Sequence, residues 1–298
     1  MRGACAALFV ATLAFAHAAA AEDEKLATDL DEQVVRLPTR VTLLDGTRIT
    51  RDMIVTTYHP SAPGRHPVIV MNHGRWGSWD GRAEVSRFRF EGLARYFAAK
   101  GYAFVAPTRV GYGDTGGNVD PEDMDCSRHV VVPTLQSSGN EILDAVAYAR
   151  QQSWADPAQV VLIGKSWGGI ASVTAAAVNP KGVVASINFA GGIGGHLQNH
   201  GVPCAAAEVT KVFALLGKAS RVPNLWIYST NDQFFGPEYS KAWADAFLRS
   251  GGPLEFHLLP AFEDDGHFLF ERGGKLWVPI VDKFLADKVR VPRGETRR

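Results

Sequence analysis

The stretch Val160-Val161-Leu162-Ile163-Gly164-Lys165-Ser166-Trp167-Gly168-Gly169-Ile170-Ala171 decides how the rest of the chain is read. Residues 160–163 are a short, mostly β-branched apolar run, the pattern of a strand buried on both faces. Gly164-Lys165-Ser166-Trp167-Gly168 follows at once, and small residues then predict a helix over 167–178. This is G-x-S-x-G in the context that its chemistry requires: strand, sharp turn, helix. Such a turn has no room for side chains two residues before and two after the serine. The serine is left exposed at its strand's C-terminal edge. The N–H of Trp167 stands at a helix N-terminus, where backbone donors are free to hold an oxyanion. Gly164-Lys165-Ser166 also resembles the end of a phosphate-binding loop. That loop needs a glycine five residues earlier, where Gln159 stands, and a polar turn where 160–163 are apolar.

The same alternation extends in both directions. Strands are predicted at 68–71, 102–106, 183–189, 224–228 and 254–259, and helices at 85–100, 141–152, 238–250 and 276–289. Residues 33–59 read as short strands with a hairpin turn at Asp45-Gly46. Apolar strands separated by helices need crossover connections. The expected class is α/β, a mostly parallel eight-stranded sheet with helices on both faces.

A nucleophilic serine needs a base, and the base needs an orienting acid; in this architecture the chain order is serine, acid, histidine. Asp232 follows the strand 224–228, and His267 follows the strand 254–259. Both fall beyond strand C-termini, where open α/β sheets assemble their sites. Asp264 and Asp265 are alternative acids. His257 lies inside its strand, and Asp245 on a solvated helix face. Asn72-His73-Gly74-Arg75 follows the strand 68–71 and occupies the loop that supplies a second oxyanion donor. Arg75 N–H is the expected donor, with Gly74 in reserve. His73 reads as a structural loop histidine and Asp114 as a turn residue.

On these residues the chain resembles an α/β-hydrolase of the dienelactone hydrolase-like group, kin to the prolyl oligopeptidase catalytic domain. The resemblance runs from about Val41 to Leu285. It rests on Asn72-His73-Gly74, on Gly164 to Gly169, on Tyr228-Ser229-Thr230-Asn231-Asp232 and on Asp265-Gly266-His267. It implies Ser166 as nucleophile, Asp232 as acid and His267 as base, with no metal or organic cofactor. Dienelactone hydrolases proper use cysteine, so Ser166 favours a general small-molecule ester. No counterpart of the prolyl oligopeptidase propeller is expected, and size-gated peptide cleavage is not implied. The resemblance also implies a small cap from an insertion at about 191–219. The rival activities are a peptidase using the same three residues and a catalytically silent binding protein. Trp76, Trp167, Phe234 and Phe235 are candidate pocket aromatics. Arg75, Arg82 and Arg109 read as solvated surface residues rather than as a site for an anionic substrate.

Residues 1–21 carry Arg2 as their sole charge, then an apolar run, then Ala16-His17-Ala18-Ala19-Ala20-Ala21. This is the three-part pattern of a cleaved secretory signal, too short for the ~20 apolar residues of a spanning helix. A single hydrolase domain over 22–298, exported to the periplasm or secreted, is expected. Cleavage removes Cys5 and leaves Cys126 and Cys204 of the three cysteines. Oxidising conditions then suggest a Cys126–Cys204 disulfide. The 31 basic residues balance the 31 acidic ones, which argues against a nucleic-acid partner. His196 and His200 are four apart, but Gly194-Gly195 and Gly201-Val202-Pro203 bracket them and Leu197 stands where a zinc-protease motif needs Glu, so no metal is expected.

Overall fold

Along the strand His66–Asn72, Val68 and Val70 enter one apolar core while Ile69 and Met71 enter the other. The two-residue period thus feeds both faces of one sheet. The computed structural model describes residues 25–76, 79–122 and 131–291. Within them lie β1 (Gln33–Thr42), β2 (Arg48–Tyr58), β3 (His66–Asn72), β4 (Ala103–Thr108), β5 (Ala155–Lys165), β6 (Val183–Phe189), β7 (Asn224–Ser229) and β8 (Leu254–Leu259). The helices are α1 (Trp79–Ala83), α2 (Glu91–Ala98), α3 (Val131–Gln151), α4 (Trp167–Ala177), α5 (Ala206–Ala219), α6 (Pro237–Arg249), α7 (Leu269–Arg272) and α8 (Gly274–Ala286).

The eight strands form one sheet in the order β1-β2-β4-β3-β5-β6-β7-β8. β1 and β2 are a hairpin, β2 joins β4 antiparallel, and every later pairing is parallel, as expected. Helices α3, α4, α5 and α6 cover one face, and α2 and α8 cover the other. From β3 the order runs one way to β4 and the other way to β5. The crevice beyond the C-terminal ends of β3 and β5 is therefore the topological switch point, the default place for a site.

Two helix boundaries differ from the sequence reading. The helix predicted over 85–100 begins only at Glu91. Residues 85–90 are instead tied to strands: Phe88 N–H donates to Thr108 Oγ1 at 2.8 Å, Thr56 Oγ1 donates to the Phe88 carbonyl at 3.1 Å, and Phe90 is left-handed at φ +51°. Tertiary bonds there replace the helical ones that periodicity promised. Conversely, α3 begins at Val131, ahead of the predicted start at 141. Pro133 is tolerated in a first turn, and the small residues Ser137, Ser138 and Gly139 are buried. A Cβ on Gly139 would stand 3.3 Å from Thr174 Cγ2 of α4, so these residues are small because two helices approach there.

The stretch expected to form a cap has two parts. Residues 192–198 line a cavity. The later part is α5, whose Phe213 packs on Trp226 and Trp243, so that helix belongs to the sheet's covering layer. Residues 1–21 and Cys126 lie outside the described residues. Among the described residues, no helix is long and apolar enough to cross a membrane.

The N-terminal segment is fastened by Glu32, whose side chain is buried and paired with Arg87 and Arg89. It also accepts the Ala27 N–H at 2.6 Å and the Tyr58 hydroxyl at 3.1 Å. Burial alone pushes the carboxyl up, but these donors together hold it at about 2, against an ordinary 4.5. A depressed carboxyl contributes stability above its unfolded value and loses it as pH falls. We expect the melting temperature of the protein to fall between pH 4.5 and 2. Glu32→Gln should lower it at neutral pH and flatten that acid limb, as measured by thermal melts across the range.

Candidate active site

Ser166 has φ +56° and ψ −122°, a conformation that L-residues avoid. The surroundings hold it there. Its N–H donates to the Phe189 carbonyl at 2.9 Å, and its carbonyl accepts from Gly169 and Gly192. The flanking glycines interlock. A Cβ on Gly164 would meet the Gly168 carbonyl oxygen at 2.0 Å, and one on Gly168 would meet the Asn72 and His73 carbonyl oxygens at 2.2 and 2.3 Å. The turn is thus pressed between its own two ends and the backbone leaving β3. Buried Asn72 extends the clasp, since its amide donates to Ser172 Oγ at 2.8 Å and Ser172 Oγ donates to the Gly168 carbonyl at 2.7 Å.

Gly74 passes against the serine. A Cβ there would stand 3.3 Å from Ser166 Cβ. The 73–75 backbone and the N-terminus of α4 therefore both lie beside Ser166. His73 is buried and neutral in one tautomer: its Nε2 accepts the Arg109 N–H at 3.1 Å and its Nδ1 donates to the Gly74 carbonyl at 2.8 Å. Burial first, and then the Arg109 charge, hold its pKa well below the ordinary value. It is a structural loop histidine, as expected.

Asp232 and His267 meet. His267 Nδ1 lies 3.0 Å from Asp232 Oδ2 and 3.1 Å from Oδ1, and both residues are buried. Asp232 Oδ1 also accepts the N–H groups of Phe234 and Phe235 at 2.8 and 2.9 Å, which fixes the carboxylate. Asp265, the alternative acid, instead accepts the backbone N–H of His267 and of Gln233 at 2.9 and 3.0 Å. Asn231 laces the two loops together, accepting from Phe262 N–H and donating to the Glu263 carbonyl. His257 is on β8, paired with Glu255 at 2.7 Å. Asp114 lies in a 3-10 turn, Gly113–Thr115, and Asp245 pairs with Arg249 on an exposed helix face.

Ser166 and His267 line one cavity of about 750 Å³. The expected aromatics Trp76, Trp167, Phe234 and Phe235 line it too. Phe88, Phe90, Phe268 and Phe270 join them; the first two were hidden in the overlong helix prediction. His196 lines the cavity, whereas His200 ends a 3-10 turn at φ +47°, so the pair is not on a helix. Lys165 reaches Glu271 at 3.0 Å across the lining, a pair that no spacing rule signals.

The arginines correct the sequence reading. Arg109 and Arg82 are buried, not solvated. Arg109 pairs with Glu122 at 2.5 Å, while Arg75 and Arg82 reach Asp120 at 2.9 and 2.6 Å. Nothing in the sequence marks these pairings, because the two partner carboxylates, Asp120 and Glu122, lie in a loop without periodicity.

The interlock has a direct check. Gly168→Ala should lower stability by about 1–3 kcal/mol, the usual range for overpacking. Gly92→Ala, with open space around the added methyl, should not. Urea denaturation midpoints compare the two.

Residues 45–246, more than half of the chain, match the family described as X-Pro dipeptidyl-peptidase (S15 family). The quorum-quenching protein AidA of Acinetobacter baumannii is 31% identical over 131 residues, which span 44% of this chain and 37% of that relative. The aligned part is thus little more than a third of the curated relative's length. An acylaminoacyl peptidase from Pyrococcus horikoshii superposes with a TM-score of 0.60 at 16% identity, over 88% of this chain and 43% of that one. A protein designated a dienelactone hydrolase from Klebsiella pneumoniae gives 0.53 at 16% identity, over 85% of this chain and 98% of the other. At these identities the structural likeness is one of fold. With the open eight-stranded sheet and the serine-bearing turn, the family match places this chain in the X-Pro dipeptidyl-peptidase (S15) family of the α/β-hydrolase superfamily.

Proposed function

We propose that the protein is an exported serine hydrolase that cleaves carboxylic esters of small molecules through Ser166, His267 and Asp232. The observation that carries this reading is the buried Asp232–His267 bond, with His267 and the strained Ser166 lining one cavity. With Nδ1 on Asp232, the Nε2 of His267 is left to take the proton of Ser166 Oγ as it attacks the acyl carbon. The N–H groups of Trp167 and of Arg75 or Gly74 then hold the oxyanion. Collapse breaks the bond to the leaving alkoxide, which takes the proton from His267. Water, deprotonated by the same imidazole, releases the acid.

The lining supports a neutral, apolar ester. Among the described residues, Glu271 is the one carboxylate in the lining, and Lys165 already neutralises it. Among the described lining residues, a peptide's ammonium group would meet no carboxylate other than this paired one. The rings offer instead a wall for an aromatic or aliphatic group. The second reading, cleavage of X-Pro peptides, is favoured by the family match. A panel of p-nitrophenyl esters, lactones and X-Pro p-nitroanilides separates the two. We expect ester turnover to exceed anilide turnover, to be abolished by Ser166→Ala, and to drop about 10⁴-fold in Asp232→Asn, the usual effect of a wrongly held imidazole tautomer. Faster anilide cleavage would select the peptidase.

Export rests on the pattern of residues 1–21 and brings the Cys126–Cys204 bond with it. The backbone of Cys204 donates to the Gly194 carbonyl at 2.8 Å, beside the lining residues 192–198. A bond there would pin this edge of the cavity. Thiol titration of the denatured, unreduced protein purified from an oxidising compartment should find no reactive group; two groups would refute the bond.

A further inference from the structure

The two segments read above as oxyanion donors come from distant parts of the chain, and their spacing has to be held to a fraction of an ångström for the reaction to benefit. Backbone contact brings them together at Gly168 and Asn72. A separate chain of buried side chains connects them behind the site.

It starts at the indole of Trp167, which is 3% exposed and donates from Nε1 to Ser138 Oγ at 2.9 Å. Ser138, fully buried on α3, donates in turn to Glu122 Oε1 at 3.2 Å. The same oxygen accepts Arg109 Nε at 2.5 Å, and neither Glu122 nor Arg109 has any exposed surface. Arg109 Nη1 then donates to the His73 carbonyl at 2.8 Å, and its backbone N–H donates to His73 Nε2 at 3.1 Å. His73 Nδ1 closes on the Gly74 carbonyl. The path therefore begins on the residue that carries one donor and ends on the backbone that carries the other. Glu122 is fixed in its turn, since its Oε2 accepts the Tyr112 hydroxyl at 3.2 Å and its N–H donates to Asp120 Oδ1 at 3.0 Å.

A buried ion pair is a weak source of net stability against apolar replacement, because desolvation of both charges offsets their attraction. Fold stability alone is a poor reason for this one. We propose that Glu122, Arg109 and Ser138 are positioning residues: the side-chain chain sets the distance between the Trp167 N–H and the 73–75 backbone, and so the size of the oxyanion site. The proposal rests on Ser166 being the nucleophile and extends that reading to residues that touch no substrate.

The test separates oxyanion binding from general integrity. A trifluoromethyl ketone matched to the preferred ester adds Ser166 Oγ to its carbonyl carbon. The carbonyl π pair becomes an oxyanion, and the serine proton passes to His267. Ser138→Ala breaks the link at its least charged point. We expect kcat to fall about tenfold, a fraction of the 10²–10³ typical for loss of a whole donor. The KM for the ester should be unchanged, and trifluoromethyl ketone affinity should weaken by the same factor as kcat. Ser138→Thr, which restores the hydroxyl, should recover most of the loss. Circular dichroism and melting temperature report whether each variant is folded. Should Ser138→Ala not fold, Glu122→Gln, which keeps shape and removes charge, carries the same comparison. A folded Ser138→Ala or Glu122→Gln enzyme with unchanged ketone affinity overturns the proposal, as does a rise in KM that accounts for the whole loss. Ser166→Ala in the same assay keeps the two readings apart. If it retains turnover, the nucleophile assignment has failed; if it is inactive while the other variants bind the ketone normally, only the positioning role has failed.

Discussion

Ser166 occupies a backbone conformation that L-residues rarely adopt, and the turn around it is built to keep it there. The force is steric before it is polar. The turn is clasped between the ends of β3, β5 and α4 so closely that Gly164 and Gly168 have no space for a single added carbon. Hydrogen bonds from Asn72 and Ser172 then close the clasp. Strain of this kind persists only where the surroundings over-determine it. Here the parallel ladder does so, placing Asn72 level with Gly164 and Gly164 level with Asn188 in one row across the sheet.

Asp232 and His267 are held by another device. Asp232 and His267 sit on loops after β7 and β8, and loops are mobile by default. These two are stitched to each other. Asn231 and Asp265 spend their side chains on backbone groups of the opposite loop, so the loops that carry the carboxylate and the imidazole are bonded to each other. Two of the three candidate acids thereby have distinct work. Asp232 contacts the ring, Asp265 caps the backbone of His267, and Asp264 does neither. Chain order alone left the choice open.

Charged side chains near the site are paired locally. Arg75 and Arg82 spend themselves on Asp120, Arg109 on Glu122, and Lys165 on Glu271. The aromatic wall consequently borders a cavity whose lining charges are paired. The chain as a whole has the same balance, with 31 basic and 31 acidic residues.

The sequence by itself determined what depends on neighbours along the chain. Apolar runs set the strands. The glycines around Ser166 set the turn, and the order of Ser166, Asp232 and His267 followed from which strand ends precede them. It could not determine what depends on approach between distant segments. Residues 85–90 have helical periodicity, yet Thr56 and Thr108 capture their backbone groups. The helix expected from 141 runs through Ser137, Ser138 and Gly139 as well, and Gly139 is small where α4 packs against it. Arg109 reads as a surface cation until Glu122 is brought beside it, because a charge can be buried only with its partner, and partnership with a loop residue leaves no period in the sequence.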